Sequence, residues 1–112
     1  MSEKVPPERR EFKRFTFAAA IRVVQSPSGK RITAQVNNLS LLGCHVETSE
    51  VLPLCADVRL EMTHGDTTLR AIGVVTHSNP EKGMGIFFTR LATFHEAILR
   101  RWLAQMQDHA ER

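Results

Sequence analysis

Two short stretches of this sequence carry side chains suited to holding an anion. The first is Arg10-Glu11-Phe12-Lys13-Arg14, an Arg-x-x-x-Arg with a third arginine, Arg9, directly ahead of it. The second is Asn38-Leu39-Ser40-Leu41-Leu42-Gly43, an Asn-x-Ser-x-x-Gly. A guanidinium grips phosphate oxygens bidentately and stacks on planar rings. Asn38 offers a carbonyl and an amide, Ser40 a short hydroxyl, and Gly43, without a Cβ, a close approach of backbone to ligand. Plainer readings compete with these. The arginines could be a solvated charged tail, and Asn, Ser and Gly form turns for purely local reasons.

Chance separates the two stretches. Eleven arginines in 112 residues produce roughly one Arg-x-x-x-Arg without any function. With six Asp or Asn, six Ser and six Gly, the second pattern arises in roughly one or two chains per hundred. The arginine pair ahead of the first strand and the triplet after the second form an ordered combination, more specific than either alone.

The elements that position these residues follow from hydrophobic periodicity. Phe15, Phe17, Ala19, Ile21 and Val23 share one parity, as one face of a half-buried strand does. Ser26-Pro27-Ser28-Gly29 is a turn, and Ile32, Ala34 and Val36 alternate with polar residues in a second strand. Asn37 to Gly43 breaks the alternation. Further strands are expected at Cys44 to Glu47, at Val58 to Met62, at Leu69 to Thr76 and at Met84 to Phe88. Thr93-Phe94-His95-Glu96 has the form of a capping box. Beyond it Phe94, Ile98, Leu99, Trp102, Leu103 and Met106 recur at helical spacing, predicting a helix over about 94–108. The fold class is mainly β: a small six-stranded antiparallel β-barrel with a C-terminal amphipathic α-helix packed on it.

With these motifs in this order, the sequence resembles the PilZ domain family. Lys82-Gly83-Met84-Gly85-Ile86-Phe87-Phe88 is similar to the family's late Gly-x-Gly-x-x-Phe strand, and the likeness runs from Arg9 through the terminal helix. The resemblance implies binding of the bacterial second messenger cyclic di-GMP by Arg9, Arg10, Arg14, Asn38, Ser40 and Gly43. The chemistry suits the ligand, because an arginine fork matches both its phosphates and the O6 and N7 edge of its guanines. The position held by Arg9 varies in the family and influences how many ligands bind. A further cation there suits a stacked pair of ligands. The family's second motif more often begins with Asp. Asn38 keeps the size and an acceptor but lacks the charge that would hold a guanine N–H more strongly. The family's usual glycine before the fourth strand is replaced near Cys55-Ala56. The implied role is a stand-alone receptor and adaptor, whose N-terminal segment changes conformation on binding and signals to an effector protein.

Composition bounds the alternatives. A chain of 112 residues and 12.7 kDa is one domain's worth, expected over residues 9–112 behind a flexible polar tail at 1–8. Net charge is +3, too mild by itself to argue for a nucleic-acid polymer as partner. No apolar run approaches the roughly 18 residues of a membrane span. Met1 to Arg14 lacks the apolar segment of a secretory signal, so a cytoplasmic location is expected. Cys44 and Cys55 read as buried reduced thiols. His45, His64, His77, His95 and His109 show no metal-ligand spacing. No nucleophile elbow or P-loop occurs, so neither an enzyme nor a resident cofactor or metal is expected. Two other readings compete with the receptor. One is a ligand-independent PilZ-like protein-interaction module. The other is a small nucleic-acid-binding barrel, weakened because Met84 and Ile86 stand where base-stacking aromatics would be needed.

Overall fold

The structure, a computed structural model, describes residues 15–110, with side chains through Met106. Arg9, Arg10 and Arg14, and the tail at 1–8, lie outside the described residues. Six strands precede one helix: β1 (Phe15–Ser26), β2 (Arg31–Leu39), β3 (Gly43–Glu47), β4 (Asp57–His64), β5 (Thr67–Asn79), β6 (Gly83–Arg90) and α1 (Thr93–Ala110). All six strands pair antiparallel in the order β1-β2-β3-β6-β5-β4 and close into a barrel. Closure leaves no strand edge unpaired, which a short sheet in water otherwise has to protect.

Alternation drives the closure. Phe17, Ala19, Ile21 and Val23 of β1 are buried, as are Val58, Leu60 and Met62 of β4 and Leu69, Ala71 and Val75 of β5. Each strand turns one face into the barrel lumen and the other to solvent. Burial of each large aliphatic side chain there contributes about 1.5–3 kcal/mol. The strands run longer than periodicity predicts, β5 most of all, because pairing with two neighbours stabilises backbone beyond the apolar run.

Helix α1 covers one end of the barrel, with Ile98, Leu99 and Trp102 buried. Trp102 packs 5.3 Å from Phe17 and 5.6 Å from His64, ring centroid to centroid. His64 Nδ1–H donates to the Ala18 carbonyl (3.1 Å). Two expectations for this helix are corrected. Phe94 does not join the buried stripe but is 71% exposed. At about 100° per residue the inward line runs through His95, Leu99, Trp102 and Met106, and Phe94 falls to its margin. The capping box is not closed either. Ala92 rather than Thr93 supplies the first helical acceptor, to the Glu96 N–H (2.8 Å). The Glu96 carboxylate turns forward to Arg100 (2.9 Å).

The cysteines differ from expectation. Cys44 is buried, but Cys55 is exposed and adopts φ 68°. That left-handed conformation favours glycine, and it stands in the turn where the family's glycine is replaced.

Candidate ligand site at the β2–β3 turn

The Asn38–Gly43 motif forms the end of β2 and the turn into β3. Val36 and Leu39 are both buried, so two residues instead of one separate consecutive inward positions. The extra residue is Asn37. It is skipped in the register, where Val36 pairs with Val46 and Asn38 with His45. This β-bulge leaves Asn37 and Asn38 side by side, both part-buried.

The turn that follows is held by its own side chains. Ser40 is the one buried polar side chain among the described residues, 8% exposed. Its N–H donates to the Gly43 carbonyl (2.9 Å), and its Oγ accepts from the Leu42 N–H (3.1 Å). The Leu42 carbonyl accepts in turn from Phe88 N–H of β6 (2.8 Å). At Gly43 a Cβ would strike the Ile86 carbonyl oxygen. The close approach expected of this glycine is therefore made by strand β6. Ser40 closes the turn and Gly43 seats it on the barrel, so both shape the surface on which Asn38 stands.

Strand β1, which follows the arginine segment in the sequence, begins at the same place. Phe15, the residue after Arg14, pairs with Leu39, and Thr16 pairs with Asn38. The two motifs are far apart in sequence, yet the chain leading from the first begins its first strand against the second.

A row of residues crosses the barrel from Asn38. His45 pairs with Asn38, Gly85 with His45, and His77 with Gly85. His45 Nδ1 lies 2.8 Å from Asn37 Oδ1, as donor to that carbonyl oxygen. The His45 and His77 rings stack with centroids 5.3 Å apart. This histidine pair beside the turn is invisible to spacing along the chain. The local signal in the sequence is Gly83-x-Gly85, since glycines in a strand permit close packing over the backbone. Gly83 lies beneath the Val46 carbonyl and the His45 ring, and Gly85 beneath the His77 ring.

Met84 and Ile86 are buried, so these positions of β6 point into the core rather than toward a nucleic-acid base. Among the described residues no group of three or more His, Cys, Asp or Glu side chains could hold a metal ion. Cys44 faces the core while His45 faces out, as alternation on β3 requires. No helix among the described residues is long and apolar enough to cross a membrane.

The PilZ domain model matches residues 8–105 of the chain. No curated protein matches it by sequence. Among solved structures, the chain is similar to the Bacillus subtilis inhibitor of motility MotI/DgrA. That similarity has a TM-score of 0.76 at 17% identity and covers 93% of this chain and 54% of that one. The chain thus spans about half the length of MotI/DgrA. It is also similar to the PilZ domain of CeSA from a cellulose-synthesizing bacterium, with a TM-score of 0.68 at 16% identity. That similarity covers 85% of this chain and 98% of the other. At such identities the likeness speaks for the fold, and it is the family match over nearly the whole barrel and helix that makes this chain a member of the PilZ domain family.

Proposed function

We propose that this chain is a receptor for cyclic di-GMP, with no catalytic activity of its own. The observation that carries the reading is the register of β1. The strand that follows Arg10 and Arg14 in the sequence starts beside Asn38, which supports a site shared by the two halves of the family's ligand signature. Asn38 presents its carboxamide to a guanine edge from the bulged end of β2. Arg10 and Arg14 grip phosphate or the guanine Hoogsteen edge from the chain that leads into β1. Arg9 adds a cation that favours a second, stacked ligand. Ser40 and Gly43 serve the site by holding the turn in shape.

Binding fastens the Arg9 to Arg14 segment to the turn and re-aims the chain ahead of it. An effector protein reads that change, in a cytoplasmic setting where the messenger is made.

Isothermal titration calorimetry with cyclic di-GMP, against GTP and cyclic GMP as controls, tests the proposal. Saturable binding selective for the cyclic dinucleotide is expected, and stoichiometry reads the role of Arg9. Arg10→Ala and Arg14→Ala should each weaken binding at least about tenfold with the fold intact. Asn38→Asp should tighten it several-fold, because a charged acceptor holds a guanine N–H about twice as strongly. Binding that survives the double arginine substitution would overturn the assignment.

A further inference from the structure

Opposite the β2–β3 turn, the barrel carries a second basic surface. Going round the closed barrel, β5 and β4 stand across from β2 and β3. There the outer faces of β1, β4 and β5, with the end of β6 and the start of α1, form an open groove of about 500 Å³. Arg22, Arg59, Arg70 and Arg90 line it together with Val24 and Ile72, and Glu61 supplies the one carboxylate.

The register orders these side chains into two rows. In the first, Arg22 pairs with Glu61 and Glu61 with Arg70. Glu61 is bridged from both sides, at 3.6 Å by Arg22 and 2.8 Å by Arg70. In the second, Val24 pairs with Arg59, Arg59 with Ile72 and Ile72 with Arg90. Here no carboxylate alternates with the guanidiniums. Among the described residues neither Arg59 nor Arg90 makes an ion pair, and Asp57, which shares a face of β4 with Arg59, does not bridge to it. Between them Ile72 is 40% exposed. Arg59 and Arg90 therefore stand about 10 Å apart across two strand spacings, with an apolar side chain between. His95 closes the wall, its Nδ1 accepting from the Arg70 N–H (3.1 Å).

We propose that this groove docks an acidic segment of a partner protein, one in which carboxylates flank a hydrophobic side chain. Charge complementarity selects an anion: four guanidiniums meet one carboxylate, and that carboxylate is already shared by two of them. The exposed Ile72 between Arg59 and Arg90, with half-buried Val24 beyond Arg59, selects a peptide over a phosphate polymer, because a leucine or isoleucine of the peptide covers Ile72 while its acids reach Arg59 and Arg90. No Phe, Tyr or Trp lines the groove, and its one aromatic ring, His95, has Nδ1 engaged by the Arg70 backbone N–H. The groove lies across the barrel from the β2–β3 turn, and the proposal does not depend on nucleotide binding at that turn.

The test titrates the full chain, without cyclic di-GMP, into a fluorescein-labelled peptide of sequence Glu-Asp-Leu-Glu-Asp-Leu-Glu-Asp, read by anisotropy at low salt. An oligothymidine of equal charge is the control. Saturable binding is expected, weakened at least about tenfold by Arg59→Glu with Arg90→Glu, and largely retained in the corresponding lysine pair. Replacing both leucines of the peptide by serine should weaken binding to the unaltered protein several-fold. Both arginines are exposed, and thermal melting verifies that the charge-reversed protein folds. Absent binding, binding indifferent to the charge reversal or to the leucines, or tighter binding of the oligothymidine would each overturn the proposal.

Discussion

His45 and His77 stack their rings 5.3 Å apart and within 23° of parallel, although they belong to strands separated by β6. Two strand spacings put their backbones about 10 Å apart, so both rings must lean inward over the strand between. They can do so because the residue paired with both is Gly85. A Cβ there would lie 2.6 Å from His77 Cδ2.

The glycines of this barrel should separate into two classes by what they face. Gly85→Ala meets a movable imidazole, so it should cost no more than about 1 kcal/mol while parting the histidine pair. Gly43→Ala meets the Ile86 backbone carbonyl and must shift β6, at about 3 kcal/mol or more. Urea denaturation of the two variants measures the difference. Equal losses would show that the ring cannot yield.

Cys55→Gly should stabilise the protein. A non-glycine residue at φ 68° costs about 1–2 kcal/mol, and glycine's greater unfolded-state entropy returns only part of that. A net gain of about 1 kcal/mol is expected, raising the melting midpoint by roughly 4 °C. Cys55→Ala keeps the Cβ and should give no such gain, so a scan of both variants isolates the backbone contribution.

The two thiols should differ in reactivity. Burial pushes the Cys44 thiol up to about 12 from its ordinary 9.0, so it carries no thiolate near neutrality. Native protein should release one equivalent of thionitrobenzoate from Ellman's reagent, from Cys55, and a second only in denaturant. Because the folded state favours the neutral thiol, the Cys44 contribution to stability is intact below pH 9.0. It is lost progressively as pH rises toward about 12. A Cys44→Ala variant should lose less stability across that range.

Glu61 supplies an acid-side dependence of opposite sign. Its hydrogen bond from Arg70, with the charges of Arg70 and Arg22, holds its carboxyl below the ordinary 4.5. The stabilisation is present above that value and is lost as pH falls through the lower folded value. Because the side chains stay largely in water, 37% exposed for Glu61 and 62% for Arg70, screening leaves only a few tenths of a kcal/mol. Glu61→Gln should flatten stability below pH 4.5, and added salt should abolish the difference between variant and parent in denaturant titrations.

Much of the barrel was legible in the order of residues because inward and outward positions alternate along most of each strand, the bulge at Asn37 being an exception. The runs through Ile21, Val58, Leu60 and Leu69 announce their strands, and Ile98, Leu99 and Trp102 announce the helix. Local periodicity resolves an element's centre better than its margin. For that reason Phe94 was misread as buried and Thr93 as the helix cap. The Asn38-x-Ser40-x-x-Gly43 motif was likewise visible, since its spacing within one turn is a local property.

What only the tertiary structure decided is whatever depends on strand neighbours. Sequence spacing contains no sign that β3 and β5 flank β6, and hence none that His45 and His77 meet over Gly85. Nor does it show that Ile86 occupies the space left by Gly43, or that Arg59 and Arg90 stand on either side of Ile72. The physical reason is that strand pairing is set by closure of the whole barrel. Each strand's alternation dictates which side chains face out, and only the closed register dictates which of them stand together.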